Sequence, residues 1–103
     1  MSEKLLKIIN HYGVMHQLKY FQSEVFELNE AIIRNEEADY NFYEREMVDT
    51  EYIKHVTEEL ADVEVMLLQF KEYYHIDGNE ILKIMNEKID RQLKRMEGEK
   101  NGK

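Results

Sequence analysis

Four acidic residues stand in two pairs of equal spacing, Glu24 with Glu27 and Glu59 with Asp62. Residues three apart are neighbours on one face of a helix, so each pair presents two carboxylates together. These are hard oxygen donors, and the chain has no cysteine to supply a thiolate, which favours magnesium or manganese over zinc or copper. Two such pairs on packed helices can hold one ion, or two about 3.5–4 Å apart. Without a cation, like charges repel and burial penalises each ionised group, so the acids must protonate or pair with bases. Glu59 carries the argument. It falls in an apolar stripe with Tyr52, Val56, Val63, Met66, Leu67 and Phe70, and Asp62 lies at the edge of that stripe. Glu24 borders the stripe of its own helix, beside Phe21 and Leu28. A solvated acid has no reason to sit there. On spacing alone, an ion pair with Lys19, Lys88 or Arg91 accounts for Glu59 as well as a metal ion does.

Other chemistries find less support. Glu72-Tyr-Tyr-His75 has the Glu-x-x-His spacing of carboxylate-bridged di-iron bundles, but it occurs once and opposite the stripe that carries Glu59. His11, His16 and His55 have no partner at ligand spacing and read as surface or structural residues. With serines only at Ser2 and Ser23, covalent catalysis has few candidates. A glycine-rich phosphate loop is missing. Tyr40, Phe42 and Tyr43 have faces that can stack on a base, although packing or an interface is the commoner use of such residues.

Long helices must position these acids. Proline is absent and glycine is rare, so little interrupts helical runs. The pattern predicts a first helix capped by Ser2 and ended by Gly13. A second should run from about Val14 to Arg34, with a buried stripe of Leu18, Phe21, Val25, Leu28 and Ile32. The stretch NEEADYNFYEREMVD is polar and aromatic with no clear period and reads as a loop, with room for a helical turn. Asp49 or Thr50 then caps a third helix to about Tyr74. HIDGN interrupts it, and Asp77 with Glu80 opens a fourth helix through about Met96. The expectation is an all-α antiparallel four-helix bundle, a single domain over residues 1–96 with a frayed tail at 97–103. Its apolar stripes are broad for 103 residues, so part of that surface should be buried in a homo-oligomer, a homodimer or homotetramer.

The net charge of −8 argues against binding a nucleic-acid polymer through its backbone. An acidic protein still binds a small polyanion if a divalent cation supplies the positive charge. Basic residues gather late, at Lys83, Lys88, Arg91, Lys94 and Arg95. No apolar run approaches the ~18 residues of a membrane span, and MSEKLLKIINHYG lacks the features of a secretory signal. The expectation is a cytoplasmic protein without a membrane partner.

The sequence resembles the all-α nucleoside triphosphate pyrophosphohydrolases, the MazG-like superfamily that includes dimeric dUTPases and phosphoribosyl-ATP pyrophosphohydrolases. EVFE (Glu24 to Glu27) and ELAD (Glu59 to Asp62) match its Glu-x-x-Glu and Glu-x-x-Asp signature. HYGVMHQLKYFQSEVFELNEAI and HVTEELADVEVMLLQF resemble its two motif helices, and NEKIDRQLKR its basic fourth-helix segment. Ser23 stands where the first motif often begins with a glutamate, and Gln92 where many relatives carry asparagine. The resemblance implies hydrolysis of a nucleoside triphosphate to the monophosphate and pyrophosphate. It implies Mg2+ (or Mn2+) held by Glu24, Glu27, Glu59 and Asp62, with Glu27 and Glu59 catalytic. Lys88, Arg91 and Arg95 would neutralise the triphosphate. The competing expectation is a non-catalytic helical oligomer, or a regulatory nucleotide-binding protein, whose acid cluster is structural.

Overall fold

The computed structural model describes residues 1–38 and 42–101, with side chains described outside 38–50 and 101. Tyr40 and the side chains of Phe42 and Tyr43, considered above as stacking residues, lie outside the described set. The described residues form four helices and no strand: α1 (Ser2–Tyr12), α2 (Val14–Ala38), α3 (Phe42–Tyr73) and α4 (Gly78–Asn101). The all-α expectation holds. Among the described residues, no helix is long and apolar enough to cross a membrane.

Helix boundaries follow local chemistry, with some departures from the sequence reading. Gly13 ends α1 with φ 90°, a backbone region that disfavours side chains, and its N–H donates to the Ile9 carbonyl at 2.8 Å. Ser2 does not cap α1. It is the first helical residue, and its hydroxyl donates to Glu72 Oε2 at 2.6 Å, tying the start of α1 to the end of α3. α2 runs to Ala38, beyond Arg34, because Asn35-Glu-Glu-Ala contains no breaker. α3 begins at Phe42, so most of the expected loop is helical, and Asp49 and Thr50 lie inside the helix instead of capping it. Aperiodic composition does not stop a helix when neither proline nor glycine is present. At its other end His75 adopts φ 55°, the left-handed conformation common after a helix terminus. Asp77 accepts a hydrogen bond from the Asn79 N–H at 2.9 Å, which caps α4 as expected. α4 continues past Met96 to Asn101, through the residues expected to fray.

The described chain groups into two compact units, residues 1–73 and 74–103. In the first, α2 and α3 pack most extensively and α1 lies against both. Cross-helix pairs give the direction of α2 and α3. Gln17 meets Gln69 and Phe21 meets Phe70 edge-to-face at 5.7 Å, while Glu27 meets Glu59 further along. Rising numbers on α2 therefore match falling numbers on α3, and the two helices are antiparallel. On α3 the inward line runs through Tyr52, Val56, Glu59, Val63, Met66 and Phe70, each buried or half-buried. This is the expected stripe, although Leu67 is half exposed and stands outside it.

On α2 the inward line is shifted from the expectation. Gln17, Glu24 and Ala31 are buried, flanked by half-buried Phe21 and Leu28. Leu18, Val25 and Ile32 recur one position later and are each about 40% exposed. A broad apolar arc cannot turn wholly toward one partner helix, and packing chose the edge that contains Gln17 and Glu24. The second unit is α4, whose Leu82, Met85, Ile89 and Met96 recur at helical spacing and are more than half exposed.

Ile9, the largest fully buried side chain, anchors α1. Ile9→Ala should cost about 2–5 kcal/mol by removing apolar contact and leaving a cavity. Chemical denaturation would read it as a lowered midpoint with little change in slope.

Candidate metal centre and adjoining cleft

Antiparallel packing sets the middle of α2 against the middle of α3. Carboxylate oxygens of Glu24, Glu27 and Glu59 lie within 4.8 Å of one another. Glu24 is buried at 6% exposure, Glu59 is half-buried and Glu27 is exposed. Glu24 Oε2 and Glu59 Oε2 are buried without a hydrogen-bond partner. An unpartnered buried carboxylate oxygen is costly, and two in one place need a physical explanation.

The electrostatics agree with the crowding. Burial raises the Glu24 carboxyl above its ordinary pKa, and the Glu27, Asp62 and Glu59 charges raise it further, against the lowering effect of a hydrogen bond from Tyr20. Burial likewise raises Glu59, followed by the charges of Glu27 and Asp62, while His55 opposes the shift. The Tyr20 hydroxyl is itself raised above the usual phenol range, chiefly because it donates to Glu24.

Among the described residues of 1–73, no lysine or arginine forms an ion pair with these acids, and the basic group within reach is His55, whose Nδ1 stands 4.0 Å from Glu59 Oε1. The ion-pair explanation through Lys19 therefore gains no contact. Asp62 is outside the three-residue oxygen set, yet its charge acts on Glu24, Glu59 and Tyr20, and it lines the adjoining cleft. Lys88, Arg91 and Arg95 are exposed on α4, on one face by their spacing, and Arg95 donates to Gln92 at 3.4 Å. The donor set fits a hard divalent cation: three carboxylates converge, and two of them hold unused oxygens.

A cleft of about 450 Å3 opens beside Glu24. Asp62 and Tyr20 line it near the acids, and Gln17, Gln69, Tyr12 and His16 line it further along. Gln17 Nε2 donates to Gln69 Oε1 at 2.8 Å, and Gln17 Oε1 accepts from His16 Nδ1 at 2.8 Å. The rings of Tyr12 and His16 stack at 5.0 Å with 16° between planes. Apart from Asp62, none of these cleft residues was singled out as a site residue in the sequence. Tyr20 had a usable signal, since it precedes Glu24 by one helical turn. Gln17 and Gln69 had none, because an amide at a core position carries no charge to flag it. No known protein family, curated protein or solved structure matches this chain.

The raised pKa values fix the sign of a pH effect. A carboxyl raised on folding binds its proton more tightly in the native state, so stability falls as pH rises from the ordinary carboxylate range through the raised value. Without divalent metal, the melting temperature should therefore fall across that window, and Glu24→Gln should flatten the fall and raise the neutral-pH value by several degrees. Thermal denaturation in chelator from pH 4.5 to 8 measures this; the sign for these two groups is opposite to that of a salt-bridged acid.

Proposed function

We propose that the chain is a magnesium-dependent nucleoside triphosphate pyrophosphohydrolase of MazG-like type, with Glu24, Glu27, Glu59 and Asp62 around the cation. The observation that carries this reading is the pair of unpartnered buried oxygens on Glu24 and Glu59, in a cluster with a third carboxylate and with no ion-paired lysine or arginine among the described residues of 1–73. A structural ion-pair network would supply that cation from the protein. The four acids also match both halves of the signature to which the sequence was likened.

Magnesium, or manganese, bound there supplies positive charge that polarises phosphate oxygens and favours ionisation of water. The chain's own residues do the rest. Glu24 and Glu59 lie in the seam and serve as fixed ligands, oriented by helix packing. Glu27, the exposed member of the cluster, would orient the attacking water and accept its proton. Water oxygen attacks the α-phosphorus, the bond from that phosphorus to the bridging oxygen breaks, and the products are a nucleoside monophosphate and pyrophosphate. Tyr20, one helical turn before Glu24 and lining the same cleft, acts on the Glu24 carboxyl and opposes the rise of its pKa. The resemblance, rather than the packing, is what implies Lys88, Arg91 and Arg95 as the residues that would neutralise phosphate charge.

Product analysis with a panel of ribo- and deoxynucleoside triphosphates, with and without magnesium, tests the reaction. Monophosphate and pyrophosphate should appear only with metal, and Glu59→Gln should abolish both. Orthophosphate with diphosphate would overturn the cleavage site. Magnesium at a hundred times its Kd should stabilise the protein by about 2.7 kcal/mol, and Glu59→Gln should remove most of that gain. Metal-dependent nucleotide binding without product would favour a regulatory protein, and no response to metal a structural acid cluster.

The exposed line of Leu18, Val25 and Ile32 supports a homo-oligomer, because repeated apolar side chains at one helical position mark a surface that another helix covers. Val25→Asp should lower the mass measured by sedimentation equilibrium while leaving helical content unchanged. An unchanged mass would exclude this line from the interface.

A further inference from the structure

We propose that the Gln17–Gln69 carboxamides and the Tyr12–His16 rings form a base-reading subsite for a planar nucleobase whose edge carries adjacent hydrogen-bond donor and acceptor groups. This deepens the hydrolase reading and rests on it for the position of the phosphates.

The geometry is repeated on both helices. Gln17 precedes Glu24 on α2 by two helical turns, and Gln69 follows Asp62 on α3 by two turns, about 10 Å along each axis. Each helix thus carries an acid at one end of the cleft and, on the same face, an amide at the other. That separation suits a nucleotide with its phosphates at the acids and its base at the amides.

Both amides are buried, Gln17 at 4% and Gln69 at 2% exposure, in a cleft whose other walls include Ile8, Val65 and Met66. Packing alone would be served there by leucine. Gln69 Nε2 turns to the Met66 sulfur at 3.6 Å, and a thioether is a weak acceptor that a base carbonyl or ring nitrogen would replace with gain. A carboxamide offers one donor face and one acceptor, which is why glutamine pairs with base edges in two bonds. Tyr12 and His16 lie against the same cleft, and Tyr12 is 55% exposed, so ring surface is available for stacking.

The test compares kcat/KM for four nucleoside triphosphates and for inorganic triphosphate, which has no base, in the native protein, Gln69→Leu and His16→Ala. The native protein should favour its best nucleotide over inorganic triphosphate, and Gln69→Leu should narrow its ranking of bases by about tenfold or more. His16→Ala, at an exposed position, should raise KM for nucleotides more than for inorganic triphosphate. Equal use of inorganic triphosphate and nucleotides by the native protein overturns the proposal. So does an unchanged base ranking in Gln69→Leu, the result expected if the amide pair only joins α2 to α3. Saturation-transfer NMR with nucleoside monophosphates reads the subsite without turnover. Transfer to base protons that His16→Ala removes would uphold the subsite even if no hydrolysis occurs, and absence of such transfer would overturn it.

Discussion

Carboxylates turned into an apolar helix seam are the constraint on which the rest of this structure depends. Glu59 occupies a position that, by helical periodicity, an apolar residue should hold, Glu24 is buried at the edge of the α2 stripe, and both leave an oxygen without a partner. The seam cannot close dry around them, because desolvated like charges at this separation are costly. Protonation relieves part of the repulsion, as the raised pKa values of both groups indicate. A divalent cation would relieve more of it, and would turn an energetic liability into a binding site.

The same constraint shapes the cleft and the outer surface. Because the buried line of α2 holds Gln17 and Glu24, its continuous apolar line of Leu18, Val25 and Ile32 faces outward. The described core is correspondingly small, with Leu5, Ile9, Ala31, Val63 and Met66 as its buried apolar members. A chain of this length has little area to spare for polar interiors. The polar seam and the exposed apolar line are therefore two consequences of one choice of face, and an intersubunit contact would recover the apolar burial that the seam gives up.

The ends of the α2/α3 pair differ for the same reason. At one end Gln17 donates to Gln69 and Phe21 meets Phe70, so the helices are joined by directional contacts. Toward the other, three carboxylates converge, and a proton or cation there would relieve their repulsion. A ligand that spans both would meet rigid recognition at the amides and a charge-compensated site at the acids.

The sequence by itself determined that the chain is helical, that Gly13 and the HIDGN segment break it, and that Glu59 faces inward. Periodicity and breaker residues are local properties, readable wherever a helix has one polar and one apolar side. It also singled out Glu24 and Glu27, since acids three apart share a face in any helix. Only the tertiary structure decided which edge of the broad α2 arc is buried, because that depends on the partner's side chains. Tertiary packing likewise brought Glu24, Glu27 and Glu59 into one oxygen set with Asp62 beside it, through the antiparallel register of α2 on α3. The start of α3 at Phe42 was hidden as well, because the absence of a breaker is a weaker signal than its presence. Gln17 and Gln69 became visible only as a pair, for nothing in a lone amide announces the amide it will meet 52 residues away.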